Sequence, residues 1–277
     1  MRLPVRHFPL LLCLLWSPYP LAAQLPFYTD DPAVTERGKW HFEFFDEFDS
    51  LQLQYPNLRQ NTVNYKLNYG LPHNVELNLD SPYLSIFRAV GTPNSKGTGD
   101  LNLGVKWEFH KESSRLPALG ASFYIEFPTG DTRHQLGSGV TDYWLNVIAQ
   151  KSLSDATRIN VNVGYLFAGN TSTGALGIQA TRGHVIAGGL SVLHDFTRRL
   201  TLGGEVYGGY SENGDLGRSQ LQALVGGHYK IHHGMTFDFG VLGGRYVASP
   251  RIGGQVGFSL DFPDVLHSLA PRPDGIH

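Results

Sequence analysis

The sequence predicts an all-β fold, a transmembrane antiparallel up-and-down β-barrel of about 12 strands. Three observations carry the prediction. Apolar/polar alternation at a period of two recurs along the chain, long and short connections alternate between the alternating segments, and the first 23 residues read as an export signal. In such a wall every second side chain meets lipid and the others a lumen, so the same pattern that predicts the fold also sorts the residues.

The N-terminus sets the compartment. Arg2 and Arg6 supply a positive region, residues 8–16 a short apolar run, and Leu21, Ala22 and Ala23 precede a cut before Gln24. Residues 1–23 are therefore expected as a secretory signal peptide, with the bacterial outer membrane as destination. The run is too short for a membrane helix, which needs roughly 20 apolar residues. Cys13 lies inside it, behind Leu11 and Leu12 rather than the small residues that lipidation requires. The mature chain then has no thiol, which excludes disulfides, thiolate metal sites and cysteine nucleophiles. Residues 24–38 form an N-terminal segment, 39–262 the barrel, and 263–277 a proline-bearing tail expected to be flexible.

Strands are expected at 39–48, 60–70, 73–81, 98–110, 116–127, 141–152, 157–168, 182–194, 199–211, 218–231, 234–246 and 250–262. With the first strand running outward, Trp40 and Tyr69 place the first two strands' aromatics on the lipid face near the inner end. In the third, Val75, Leu77 and Leu79 oppose Asn74, Glu76 and Asn78. The fourth is clearest, with Leu101, Leu103, Val105, Trp107 and Phe109 against Asp100, Asn102, Lys106 and Glu108. Phe127, Tyr143 and Phe167 put the fifth, sixth and seventh strands' aromatics in a second, outer band, joined by Tyr210 from the ninth. The seventh also sets Ile159, Val161, Val163 and Tyr165 against Asn160 and Asn162. Glycine pairs such as Gly188-Gly189, Gly203-Gly204 and Gly226-Gly227 mark the eighth to tenth, where coiling of the wall needs them. In the eleventh, Phe237, Phe239 and Val241 oppose Asp238. The twelfth ends in an aromatic at Phe262.

Connections at 49–59, 82–97, 128–140, 169–181 and 212–217 are mostly long, whereas those at 71–72, 110–115, 153–156, 195–198 and 232–233 are short. Outer-membrane barrels alternate in this way, and a soluble β-sandwich has no reason to. The last outer connection, near Ala248 and Ser249, is tight. A mean hydropathy of -0.18 agrees with a barrel, because half of each strand faces a polar lumen. A net charge of -2 without a polybasic run excludes nucleic acid as a partner.

Several segments resemble one family. Tyr28-Thr29-Asp30-Asp31-Pro32, Gly97-Thr98-Gly99-Asp100-Leu101, Phe127-Pro128-Thr129-Gly130-Asp131 and the run from Leu136 to Asp142 are similar to the phenol-degradation MetA-pathway outer-membrane family. The resemblance implies a transporter-like outer-membrane protein, linked in some members to uptake of aromatic compounds. Gln255, Gly257, Leu260 and Phe262 resemble the signal read by the outer-membrane assembly machinery, although here Pro263 to His277 follow it.

The alternation assigns Glu43, Glu76, Glu108, Glu126, Glu205 and Asp238, with Asp261, to the lumen, against Lys66, Lys106, Lys230 and Arg251. Such residues either pair across strands or line a selectivity path, and a mildly acidic mixture argues against a channel dedicated to anions. Tyr124, Trp144 and Tyr207 are the bulky lumen candidates, as space fillers or as stacking surfaces for an aromatic solute. Asp30, Asp31 and Pro32 mark residues 24–38 as a lumen plug or as a loose periplasmic segment. No metal or cofactor is expected, and the partners are outer-membrane lipids, the assembly machinery and an unidentified small solute.

The function expected is passive uptake of small apolar or aromatic solutes. A non-conducting structural barrel and a barrel-embedded hydrolase are the alternatives. For the hydrolase the sequence offers no Gly-x-Ser-x-Gly elbow, His-Glu-x-x-His helix or phosphate-binding loop. Only Ser138 near His134, and His232-His233 in a turn, have the residue types to inspect, and each reads more simply as a surface connection.

Overall fold

The computed structural model describes residues 26–53, 57–168, 183–211, 219–232, 234–246 and 248–263. The signal peptide expected at 1–23, the connections at 169–181 and 212–217, and the tail after Pro263 lie outside these residues. Thirteen strands form among them: β1 (Lys39–Ser50), β2 (Asn57–Leu71), β3 (Val75–Arg88), β4 (Ser95–Thr98), β5 (Leu101–His110), β6 (Ala118–Phe127), β7 (Asp142–Ser154), β8 (Thr157–Ala168), β9 (Gly183–Asp195), β10 (Leu200–Ser211), β11 (Ser219–His232), β12 (Met235–Gly244) and β13 (Ile252–Pro263).

Twelve of them close into an antiparallel barrel. Each pairs with its neighbours in chain order, β4 excepted, and β13 returns to β1 along the register Lys39↔Pro263 to Ser50↔Ile252. Closure leaves no unpaired edge, which the hydrocarbon core of a membrane requires. β4 stands outside the ring, against the far half of β3.

That half of β3 departs from the expectation. The sequence predicts a long connection over residues 82–97, and a proline, which lacks a ladder donor, usually ends a strand. Instead β3 continues to Arg88, and 95–98 fold back on it as β4. The Pro82 carbonyl accepts from Gly99 N at 2.8 Å, so its donorless nitrogen faces the same side. There the partner of β3 changes from β5, last paired at Asp80↔Asn102, to β4, first paired at Tyr83↔Thr98. The missing donor therefore meets an interruption in the ladder. The turn expected at 71–72 lies slightly later, with His73 and Asn74 both in the left-handed region at φ 63 and 56; asparagine and histidine tolerate that backbone better than most residues.

Short turns gather at the end where β1 begins and β13 finishes, here the turn end; the longer connections form the loop end. Most outward side chains are apolar. On β5, Leu103, Val105, Trp107 and Phe109 are exposed, while Gly104 and Lys106 between them are buried. Trp40 and Tyr69 pack together at the turn end with ring centroids 4.5 Å apart. At the loop end Phe123, Tyr143 and Phe167 stack along three adjacent strands at 6.5 Å per step. The one acid facing outward on β1, Asp46, accepts a hydrogen bond from Asn61 on β2.

The lipid wall gives a direct test of orientation. Val163 lies midway along β8 and is 59 % exposed. Val163→Arg should destabilise the refolded barrel by about 2–4 kcal/mol, the cost of a basic residue at the bilayer midplane. Urea titration in lipid vesicles measures it, and a change near zero would mean that this face does not meet hydrocarbon.

At the loop end the connection after β6 folds inward. Asp100 accepts from Gly130 N at 2.8 Å and from Ser138 N at 2.7 Å. Gly137 lies so close to this carboxylate that a Cβ would collide with it. The connection thereby delivers Leu136 onto Leu84 and Ile86 of β3.

Candidate functional site: the lumen and the segment inside it

The chain before β1 runs inside the barrel. Gly38 N donates to the Gly70 carbonyl at 2.8 Å, and Arg37 bridges Gly70 in parallel. Glycine is needed at position 70, because a Cβ would strike the carbonyl oxygens of Thr35 and Glu36. Deeper in, Thr35 donates to Glu76 of β3 through both its N–H and its hydroxyl, each at 2.6 Å. Pro32 packs over Gly120 of β6.

The acidic pair follows. Lys106 Nζ on β5 lies 2.8 Å from Asp30 Oδ1 and 4.0 Å from Asp31 Oδ1. The Asn162 side-chain amide, in the orientation that satisfies both its ends, pairs with the backbone of Asp30 at 2.8 and 2.9 Å. Across the lumen, Glu205 of β10 accepts from the backbone N–H groups of Tyr28, at 3.1 Å, and of Thr29. Tyr28 donates its hydroxyl to Glu47 of β1 at 2.6–2.7 Å and stacks at 5.8 Å on Tyr207. Phe27 completes an apolar cluster with Leu193, Leu224 and Leu242. The Pro26 carbonyl accepts from Gln255 of β13.

A strip with no secondary structure of its own must find partners for its backbone groups when it is buried. The wall supplies them from Glu76, Asn162, Glu205 and Gln255, and supplies room through glycines at 70, 120 and 189.

A cavity of about 250 Å³ remains beside the segment. Trp144, Ala187 and Tyr207 line it from the β7–β10 arc, next to Leu166 and Val185. Glu47, Asp49, Gln60 and Thr62 line it from β1 and β2, across the ring.

Of the lumen candidates, Glu43, Lys66, Tyr124, Glu126, Trp144 and Tyr207 border this cavity. Glu76, Lys106 and Glu205 are engaged with the N-terminal segment. Asp238 is buried near the Ser259 hydroxyl, 3.4 Å away, and Glu108 is half-buried at the turn end. Gln255 faces inward onto Pro26, Gly257 is buried, and Leu260 and Phe262 run opposite Phe42 and Trp40 on β1.

The structure also brings together groups that the sequence reading left out. His41 lies between Asp261, at 2.5 Å, and Glu43, at 3.4 Å. Lys66 Nζ stands 3.5 Å from the same Glu43. A relay of amides continues from there: Asn68 donates to Glu43 at 2.9 Å, Asn78 to Asn68 at 2.8 Å, and Tyr124 to Asn78 at 3.1 Å. His41, Glu47 and Asp49 share the parity of Glu43, so alternation alone would have placed them in the lumen.

Ser138 and His134 each take another partner. The Ser138 hydroxyl donates to the Val140 carbonyl at 2.9 Å, while His134 pairs with Asp131 at 2.7 Å. Asp131 is exposed, and the His134 hydrogen bond holds its carboxyl below the usual range. His232 ends β11, and His233 lies outside the described residues.

No curated protein matches the sequence. Among solved structures, the COG4313 outer membrane channel from Pseudomonas putida F1 is similar with a TM-score of 0.67 at 13 % identity, covering 84 % of this chain and 98 % of its own. The NanC porin follows at a TM-score of 0.54 and 11 % identity, covering 80 % and 98 %. The translocator domain of the autotransporter NalP from Neisseria meningitidis has a TM-score of 0.51 at 11 % identity, covering 82 % and 90 %. At such identities the likeness shows the fold, that of outer-membrane barrels. A family model matches residues 53–262, most of the chain, and by it the protein belongs to the family described as "Putative MetA-pathway of phenol degradation".

Proposed function

We propose that this barrel is an outer-membrane channel that admits small apolar or aromatic solutes by passive diffusion, with residues 26–36 acting as a plug that narrows the path. The observation that carries the reading is the cavity left in the closed ring, faced by Trp144, Tyr207, Tyr124 and the plug's Tyr28. Aromatic walls offer a planar solute stacking contacts, and the surrounding acids, amides and hydroxyls keep the path wet enough to release it. The plug is held by hydrogen bonds, a buried ion pair and the side-chain packing of Phe27 and Tyr28 rather than by a strand ladder, so its departure breaks no pairing of the wall. The family's description and the similarity to an outer membrane channel from Pseudomonas putida agree with this reading.

Single-channel recording of refolded mature protein in a planar bilayer tests it. The expected result is discrete conductance steps that phenol or toluene blocks. A silent bilayer from protein whose gel migration shifts on boiling, as a folded barrel's does, would overturn the channel in favour of a structural barrel.

A further inference from the structure

The lumen is electrically divided along its length. Three of its cations, in the turn-end half or near the middle, are engaged with acids: Lys66 with Glu43, Lys106 with Asp30 and His41 with Asp261. Towards the loop end β1 presents Glu47 and Asp49 inward, two residues apart on one face. Among the described ion pairs none reaches either of them. The Tyr28 hydroxyl donates to Glu47 but carries no charge to compensate it.

A second observation concerns hydrogen bonding. Gln60, only 1 % exposed, donates to the Thr62 hydroxyl, and its Oε1 accepts from no described group. Gln220 donates to Gln222 and likewise keeps an unused Oε1. Asp49, 4 % exposed, keeps an unused Oδ1. All three line the same cavity as Glu47. Buried acceptors without donors cost free energy, and the carboxyl groups of Glu47 and Asp49, hydrogen-bonded to each other, can both carry charge only against mutual repulsion. A group that brings both N–H donors and positive charge relieves both. The facing wall is of another kind, with Trp144 and Tyr207 backed by Leu166, Val185 and Ala187.

We infer that the loop-end half of the lumen is a binding station for a protonated aromatic amine, its ammonium on Glu47, Asp49 and Gln60 and its ring against Trp144 and Tyr207. The inference rests on the channel reading above and narrows its solute class. Among the described residues no three His, Asp or Glu side chains converge as metal ligands do, and the apolar wall has no part in holding a bare ion. An organic ammonium uses both walls at once, through ion pairing on one and stacking or cation–π contact on the other. Anions of the same shape meet this acidic pair at the same place and are repelled.

Uptake into vesicles carrying the full mature protein tests the inference, with phenethylammonium, phenol and phenylacetate at neutral pH as probes. Phenethylammonium should enter about tenfold faster than phenylacetate, the ratio that a preference of 1.4 kcal/mol supports. Asp49→Asn, verified as folded by its boiling-dependent gel shift, should lower that ratio to about threefold, and Gln60→Leu should lower it as well. The wild-type ratio stands as a test should a variant fail to fold. Equal entry of the two ions while phenol permeates would overturn the amine station and leave the channel reading intact. Exclusion of all three probes would overturn both. A ratio unchanged by folded Asp49→Asn would overturn the role of the loop-end carboxylates.

Discussion

Deletion of residues 25–37 should raise single-channel conductance severalfold while the barrel still folds. Residues 26–36 cross the lumen from Gly70 and Glu76 on one wall to Glu205 and Gln255 on the other. With the segment in place the free volume is about 250 Å³, the scale of a single aromatic ring with its polar group. Its removal widens the path and returns Glu76, Lys106 and Glu205 to water, where hydration replaces the lost partners. The wall does not depend on the segment, since its twelve ladders are complete without it. Planar-bilayer recordings of deletion and parent, each checked by its boiling-dependent gel shift, make the comparison. Equal conductance would refute the plug.

Lys106→Met should open the same path without shortening the chain. Lys106 is fully buried, and its ammonium is shared by Asp30 and Asp31. Methionine preserves most of the side chain's volume but leaves both carboxylates in the lumen with no cation between them. Removing one partner of a buried pair costs about 3–5 kcal/mol, because the other charge stays desolvated. The segment escapes that cost by leaving the lumen, whereas the strand carrying position 106 cannot move. Conductance histograms of Lys106→Met should therefore shift towards those of the deletion, and proteolysis of the folded protein near residue 30 should accelerate. Asp30→Asn should have the same direction and a smaller effect, because the amide can still hydrogen-bond to the ammonium. A variant that keeps both the parent's conductance and its protease resistance would show that this ion pair is not what seats the segment.

How much of this was legible in the sequence follows from the range of each interaction. Period-two alternation is local, so β5 could be read residue by residue: Leu103, Val105 and Trp107 face outward and Lys106 inward, as the pattern requires. The same parity assigns Glu43, Glu76 and Glu205 to the interior. Chemistry hid part of it: the run Phe44 to Asp49 carries acids at both parities, with Asp46 outward on Asn61 and Glu47 and Asp49 inward, so alternation blurs there. Pro82 hid another part, since a proline that normally ends a strand instead sits where β3 exchanges β5 for β4.

By itself the sequence determined the class of fold, the strand parity, the alternation of short and long connections and hence which side chains belong to the lumen. These depend on neighbours two residues apart and on the membrane's demand that every backbone group be paired. Only the closed tertiary structure decided what the inward side chains do. Asp30 meets Lys106 76 residues away, Thr35 meets Glu76 41 residues away, and Tyr28 meets Glu205 177 residues away. Contacts over such separations follow from register and closure of the whole ring, which no local pattern encodes, and they turn three lumen residues that read either as cross-strand pairs or as a selectivity lining into the seat of the N-terminal segment.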